Sequence, residues 1–147
     1  MKKILIFFLL LSFSTFAQTN KEGKKFEIKF KAETSDKKSD DIYVNVYEIN
    51  NNDRKLILTK KISKIKFAFD FNKEYIASFS KNGYVTKEVF VTTMNVSEKR
   101  LTENFGYFTF SLKLKKQSKD TITQLLPPVA TIFFSVPLDG FAVKFPK

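Results

Sequence analysis

The chain has no cysteine, no histidine and no tryptophan, and only four glycines and four prolines among 147 residues. Lacking cysteine, it has no disulfide framework, so its stability must come from packing. Lacking cysteine and histidine together, it excludes Cys/His dyads, the Ser-His-Asp triad and nearly all zinc and copper sites. Long apolar runs are also scarce. Past the amino-terminal segment, Leu125 to Val136 comes closest to a membrane span, and Pro127-Pro128 interrupts it. No stretch carries the apolar spacing of an extended amphipathic helix. Nothing in the pattern calls for a cofactor.

Aromatic and basic residues are plentiful. Eighteen Phe and five Tyr offer large rings for a core. The net charge of +11 favours anionic partners such as nucleic acid, acidic polysaccharide or lipid head groups. Lysine greatly outnumbers arginine, however, and Ile, Phe, Asn and Lys are abundant together. An AT-rich genome gives the same bias without selection for binding.

The first residues read as a secretory signal peptide. Lys2 and Lys3 form a positive start, Ile4 to Leu11 an apolar run, and Ser12 to Ala17 a stretch of small residues with a cleavage point before Gln18. No cysteine follows, so the exported form is not a lipoprotein; it is expected in the periplasm or outside the cell. Removing Lys2 and Lys3 lowers the net charge from +11 to +9.

Beyond this signal peptide (1–17) the expected organisation is a polar leader (18–25), a sandwich domain (26–116) and an extension with one further strand (117–147). Phe26, Ile28, Phe30 and Ala32 alternate with charged residues and mark a first strand. Ile42 to Ile49 is apolar on both faces, which predicts a central second strand, and Asn50 to Asp53 is a turn by composition. Lys55 to Lys60 reads as a third strand. Ile65, Phe67, Phe69 and Phe71 define the face of a fourth, and Tyr75, Ala77 and Phe79 that of a fifth. A turn at Asn82-Gly83 leads to a sixth, with Val85, Val89 and Val91 sharing a face with Lys87. One helical turn is expected near Ser97 to Leu101. Phe108, Phe110, Leu112 and Leu114 define a seventh strand, and Val129 to Val136 an eighth. The fold class is all-β: one sandwich of seven to eight mostly antiparallel strands. Its expected core includes Phe30, Val44, Val46, Phe67, Phe69, Tyr75, Phe79, Phe108, Phe110 and Leu112.

The stretch from Lys66 to Val91, KFAFDFNKEYIASFSKNGYVTKEVFV, resembles the carboxypeptidase regulatory-like domain. Phe67, Phe69, Tyr75, Ser80, Lys81, Gly83, Tyr84 and Val85 carry the match, which covers roughly residues 25 to 93. The family's usual Asp-x-x-Gly turn before the Phe-rich strand is replaced here by Lys61-Ile62-Ser63-Lys64. The tail from Pro127 to Phe134 is similar to the carboxy-terminal part of small exported envelope proteins of Gram-negative bacteria. The resemblance implies a transthyretin-like or Ig-like sandwich and a non-catalytic accessory, folding or adhesion role. It supplies no ligand.

Several patterns invite a chemical reading. Ser-x-x-Lys occurs at Ser35/Lys38, Ser63/Lys66 and Ser78/Lys81, as chance gives in a lysine-rich chain. That chemistry needs the pair one helical turn apart, whereas residues three apart on a strand face opposite ways. Asp36, Asp40 and Asp41 crowd one loop, but Asp53 lies at the far end of a strand on the order of 26 Å long. Asn104 to Phe110 resembles the aromatic strand of RNA-recognition modules. Its rings continue into Leu112 and Leu114, which is a core pattern, and nucleic acid is not an expected partner. Asp120-Thr121-Ile122 fits a short O-glycosylation pattern with Thr121 as acceptor. Tyr43, Tyr47, Tyr84 and Phe90 are candidates for a binding face opposite the core. Asn82 and Gly83 are structural turn residues. Together these readings give a non-enzymatic exported module of a bacterial envelope that binds a protein, or alternatively an acidic glycan or peptidoglycan.

Overall fold

The computed structural model describes residues 23–37, 40–118 and 126–147. The signal peptide, most of the leader and Thr121 lie outside the described residues. Among the described residues nine strands form two sheets: β1 (Phe26–Thr34), β2 (Tyr43–Asn50), β3 (Asp53–Lys61), β4 (Lys64–Phe69), β5 (Glu74–Ser80), β6 (Lys87–Thr92), β7 (Phe108–Leu114), β8 (Ala130–Ser135) and β9 (Gly140–Lys144). A single helical turn, α1 (Glu98–Leu101), precedes β7. The small sheet has the order β4-β1-β7 and the large one β3-β2-β5-β6-β8-β9. This is the all-β sandwich that the alternation predicts. Most pairings are antiparallel, while β1 with β7 and β6 with β8 are parallel.

Each element follows from its local pattern. Every second residue of β1 is buried and the others are exposed, as a strand with one face in water requires. In register, Phe30 lies between Ile65 of β4 and Phe110 of β7. Its ring stands within 6.4 Å, centroid to centroid, of Phe69, Phe79 and Phe110. Phe69 meets Tyr75 edge-on at 4.9 Å, which joins the two sheets at the core. Of the ten expected core residues, eight are buried, while Phe67 and Phe108 are half-buried against the same cluster. Residues of β5 are buried on both faces, and β2 lies between β3 and β5, as its two apolar faces predict.

Some expectations need correction. The tail holds a strand, β9, that the sequence pattern did not reveal; it pairs with β8 and ends the large sheet. The sixth strand begins at Lys87 rather than near Val85. Between β5 and β6 the chain makes a turn over Lys81 to Tyr84, in which the Tyr84 N–H donates to the Lys81 carbonyl at 3.0 Å. Gly83 takes φ +78°, and Asn82 is not among the positive-φ residues. One left-handed residue in the third position is the pattern of a type II turn, so only Gly83 carries the conformational demand.

The large sheet is strongly curled. Arg54 on edge strand β3 donates to both carboxylate oxygens of Glu88 on β6, at 2.7 and 3.1 Å, although β2 and β5 lie between. Register carries Arg54 through Ile49 and Glu74 to Thr92, four residues from Glu88. Three strand spacings of about 14 Å therefore combine with about 13 Å along the strand, too far for the two side chains across a flat sheet. The β2-β3 register shifts between Val46 and Tyr47, leaving Ile57 as an extra residue, and such a bulge sharpens the local twist. The ion pair thus spans the outward side of Ile76 and Ser78, both buried.

Candidate functional site

The small sheet presents one ordered solvent face. Because the core takes alternate residues of β1, the outward set is Glu27, Lys29, Lys31 and Glu33, all exposed. Strand β4 adds Lys64, Lys66 and Ala68, and β7 adds Thr109, Ser111 and Lys113. Register sets Lys29 directly opposite Lys66, and Lys31 opposite Lys64. Like charges directly opposite each other across strands repel. Two carboxylates offset part of this. Glu27 pairs with Lys66, and Glu33 with Lys113 at 3.1 Å. The Glu27 hydrogen bond raises the Lys66 ammonium above the usual lysine range. Among the described residues, Lys29, Lys31 and Lys64 have no ion pair.

This face ends at an aromatic ring. Tyr107 immediately precedes β7 beside Glu27 and is 96% exposed, with the Lys66 ammonium 5.7 Å from its ring centre. Lys24, Lys25, Glu27, Ala68, Asn104, Phe105 and Tyr107 line an open cleft of about 720 Å³ there. The neighbouring ring, Phe105, belongs to the fold instead. It stands 6.1 Å from Phe26, 5.7 Å from Phe71 and 5.1 Å from Phe141, with the Arg100 guanidinium 4.7 Å over it. Of the rings between Asn104 and Phe110, Tyr107 alone is exposed.

The four aromatic residues singled out in the sequence do not form one face. Tyr47 and Phe90 share an outward row of the large sheet, with Ile76 between them, but both are half-buried in its curl. Tyr43, on the outward side of β2, is 45% exposed, with the Lys61 ammonium 5.9 Å from its ring centre. Tyr84 departs from this set. It packs against the core, and its hydroxyl is hydrogen-bonded to the Asp36 carboxylate at about the same distance from both oxygens, 3.0 and 3.1 Å. Burial and then the Asp36 hydrogen bond raise the Tyr84 phenol. The Thr34 hydroxyl, which donates to Asp36, holds that carboxyl below the usual range, with Tyr84 adding to the effect.

The remaining carboxylates are engaged locally. Asp41 pairs with Lys61, and this hydrogen bond lowers the Asp41 carboxyl and raises the Lys61 ammonium. Among the described residues no three acidic side chains converge as metal ligands do. In the Ser78/Lys81 pair, Ser78 is buried within β5 while the Lys81 ammonium donates to the Asp40 carbonyl. That lysine is turned away from the strand and activates no serine.

Bulk charge implies an anionic partner without locating a site. The opposed lysines are not legible in the sequence because Lys29 and Lys66, like Lys31 and Lys64, lie more than thirty residues apart, and alternation within each strand does not reveal which strands pair. The usable signal was local: Lys29 and Lys31, like Lys64 and Lys66, stand two apart on exposed strand faces. Compared with family models, curated proteins and solved structures, the chain matches none.

Proposed function

We propose that this chain is a non-enzymatic, exported interaction module of a Gram-negative bacterial cell envelope, periplasmic or extracellular, that docks a protein along a sheet edge. The observation that carries the reading is the open edge of the large sheet. Among the described residues strand β3 pairs with β2 alone, and eight of its nine residues are exposed. An unpaired edge offers a row of backbone donors and acceptors to an incoming strand. At the bulge, Leu56 is 52% and Ile57 38% exposed, so an apolar anchor stands beside that row. Lys55 and Lys60, which have no ion pair among the described residues, flank the anchor and favour an acidic extended segment. Export rests on the reading of Met1 to Ala17, and the likeness to carboxypeptidase regulatory-like domains supports an accessory role.

The test is affinity capture from envelope extract with the wild-type chain and an Ile57→Asp variant as baits. A protein retained at high salt by the wild type and lost from the variant supports edge docking. Equal capture by both baits removes β3 from the interface.

A second reading, binding of acidic envelope glycan, is favoured by the opposed lysines on the small sheet. The two differ in salt response, because binding led by exposed charges weakens steeply as salt screens them.

A further inference from the structure

We propose that the solvent face of β4-β1-β7 is a binding surface for a carboxylate-bearing polysaccharide, with Tyr107 as the platform for a sugar ring and Lys29, Lys31 and Lys64 as the receivers of its carboxylates. The inference rests on the second reading above and gives it a location.

Three observations converge. First, the sheet register holds like charges together in two adjacent cross-strand pairs, Lys29 with Lys66 and Lys31 with Lys64. A ligand that brings negative charge removes this repulsion, so part of the binding energy comes from a conflict already present in the free protein. Second, the two glutamates of the face are already paired, Glu27 with Lys66 and Glu33 with Lys113, which leaves the other three ammonium groups for an external anion. Third, the row of lysines leads to an almost fully exposed aromatic ring at the mouth of a cleft, where Lys24 adds a further cation.

The chemistry of the face separates a polysaccharide from other polyanions. Lysines two apart on a strand repeat at about 6.8 Å, which suits a linear polymer carrying one charge at intervals. As point charges they donate to single carboxylate oxygens without the paired geometry that arginine imposes on phosphate. Nucleic acid would stack successive bases on several rings, whereas Tyr107 is the one exposed ring in its segment. A lipid surface would take apolar side chains beside the cations. Here the outward neighbours are Ala68, Thr109 and Ser111. One amphipathic ring beside a line of cations fits a sugar, whose C–H face lies on the ring while its acid groups meet the amines.

The experiment measures binding of the purified protein to polygalacturonate, with neutral dextran, single-stranded DNA and phosphatidylglycerol vesicles as comparison ligands. Three variants are compared with wild type: Tyr107→Ala, the triple Lys29→Gln/Lys31→Gln/Lys64→Gln, and a charge-matched triple, Lys99→Gln/Lys144→Gln/Lys147→Gln. All altered side chains are exposed, and a thermal melt confirms that each variant folds. The first triple is expected to lose about tenfold in affinity and the matched triple less than about twofold. Tyr107→Ala should weaken polygalacturonate binding at every salt concentration tested. No binding by the wild type overturns the glycan reading itself. Equal losses in the two triples overturn the site while leaving that reading in place. Tighter binding to DNA or vesicles than to polygalacturonate overturns the choice of ligand.

Discussion

The two sheets solve the same packing problem differently. In β4-β1-β7 one face goes to the core and the other to water, so alternate residues are apolar and charged. In the six-stranded sheet the inner strands are partly covered on both sides, and the Arg54–Glu88 pair ties the edge strand over the outward face. A narrow sheet with one wet face can concentrate charge there without affecting the core. A wide, curled sheet must satisfy polar groups in its curl, and Glu88 is buried because an arginine three strands away reaches it. The difference separates where charge is structural from where it is free to bind.

The comparison breaks most directly at the core that joins the sheets. Phe69→Ala removes a buried ring that packs on Phe30 and Tyr75, and should lower stability by about 3–5 kcal/mol in chemical denaturation. An unchanged midpoint would mean that the sheets do not share this core.

Tyr75 gives the pH counterpart from the large sheet. Its phenol is pushed up to about 12, chiefly by burial and then by the Asp70 charge. The fold therefore favours the neutral phenol, while an unfolded tyrosine titrates near 10. Its stabilisation is complete below about pH 10 and is lost as the pH rises towards 12, a span worth about 2–3 kcal/mol. Tyr75→Phe should flatten this alkaline loss in melts recorded between those limits.

Cutting the tie across the large sheet has a smaller effect. Glu88→Ala should destabilise by about 1–2 kcal/mol, a moderate loss because Arg54 is partly exposed and can turn to solvent. The Lys81–Tyr84 turn sharpens the same scale. At Gly83 an added Cβ meets no atom within 4 Å, so the penalty comes from φ +78° alone. Gly83→Ala should cost about 1 kcal/mol and Gly83→Val more, up to about 2. At the small end, Lys29→Glu turns a repulsive pair with Lys66 into an attractive one. It should raise stability by about 0.2–1 kcal/mol in low salt, with the gain fading as salt is added.

The sequence was most legible where one face meets water. Phe26 to Ala32 announces its strand because core and solvent impose opposite demands on neighbours, and Ile42 to Ile49 announces a central position because both its faces are apolar. Pairing was not legible. β1 lies beside β4 and β7, whose residues are far along the chain, and no local pattern encodes that choice. Strand β9 escaped because its five residues, Gly140 to Lys144, mix small, apolar and charged side chains and none is fully buried. Extending the alternation of β6 backwards puts Tyr84 on an outward face, whereas the turn carries it onto the core and onto Asp36. Alternation singles out Tyr43, Tyr47 and Tyr84 but not Tyr107. Its exposure depends on Phe105 and Phe108 turning inward.

The central position of β1 in the small sheet governs the order in which the protein can form. Both neighbours of this strand come later in the chain, and the second, β7, begins only at Phe108. Until then the small sheet can be no more than a two-stranded ribbon, which is marginal in water. Four strands of the large sheet, β3-β2-β5-β6, are complete by Thr92, but their core face stays uncovered until the small sheet forms, and β8 joins β6 only after the chain has passed through β7. Contacts between such distant segments slow folding. A chain synthesised or threaded from its amino terminus therefore stays open to proteases and to association until nearly all of it has emerged, and then closes late and as a whole.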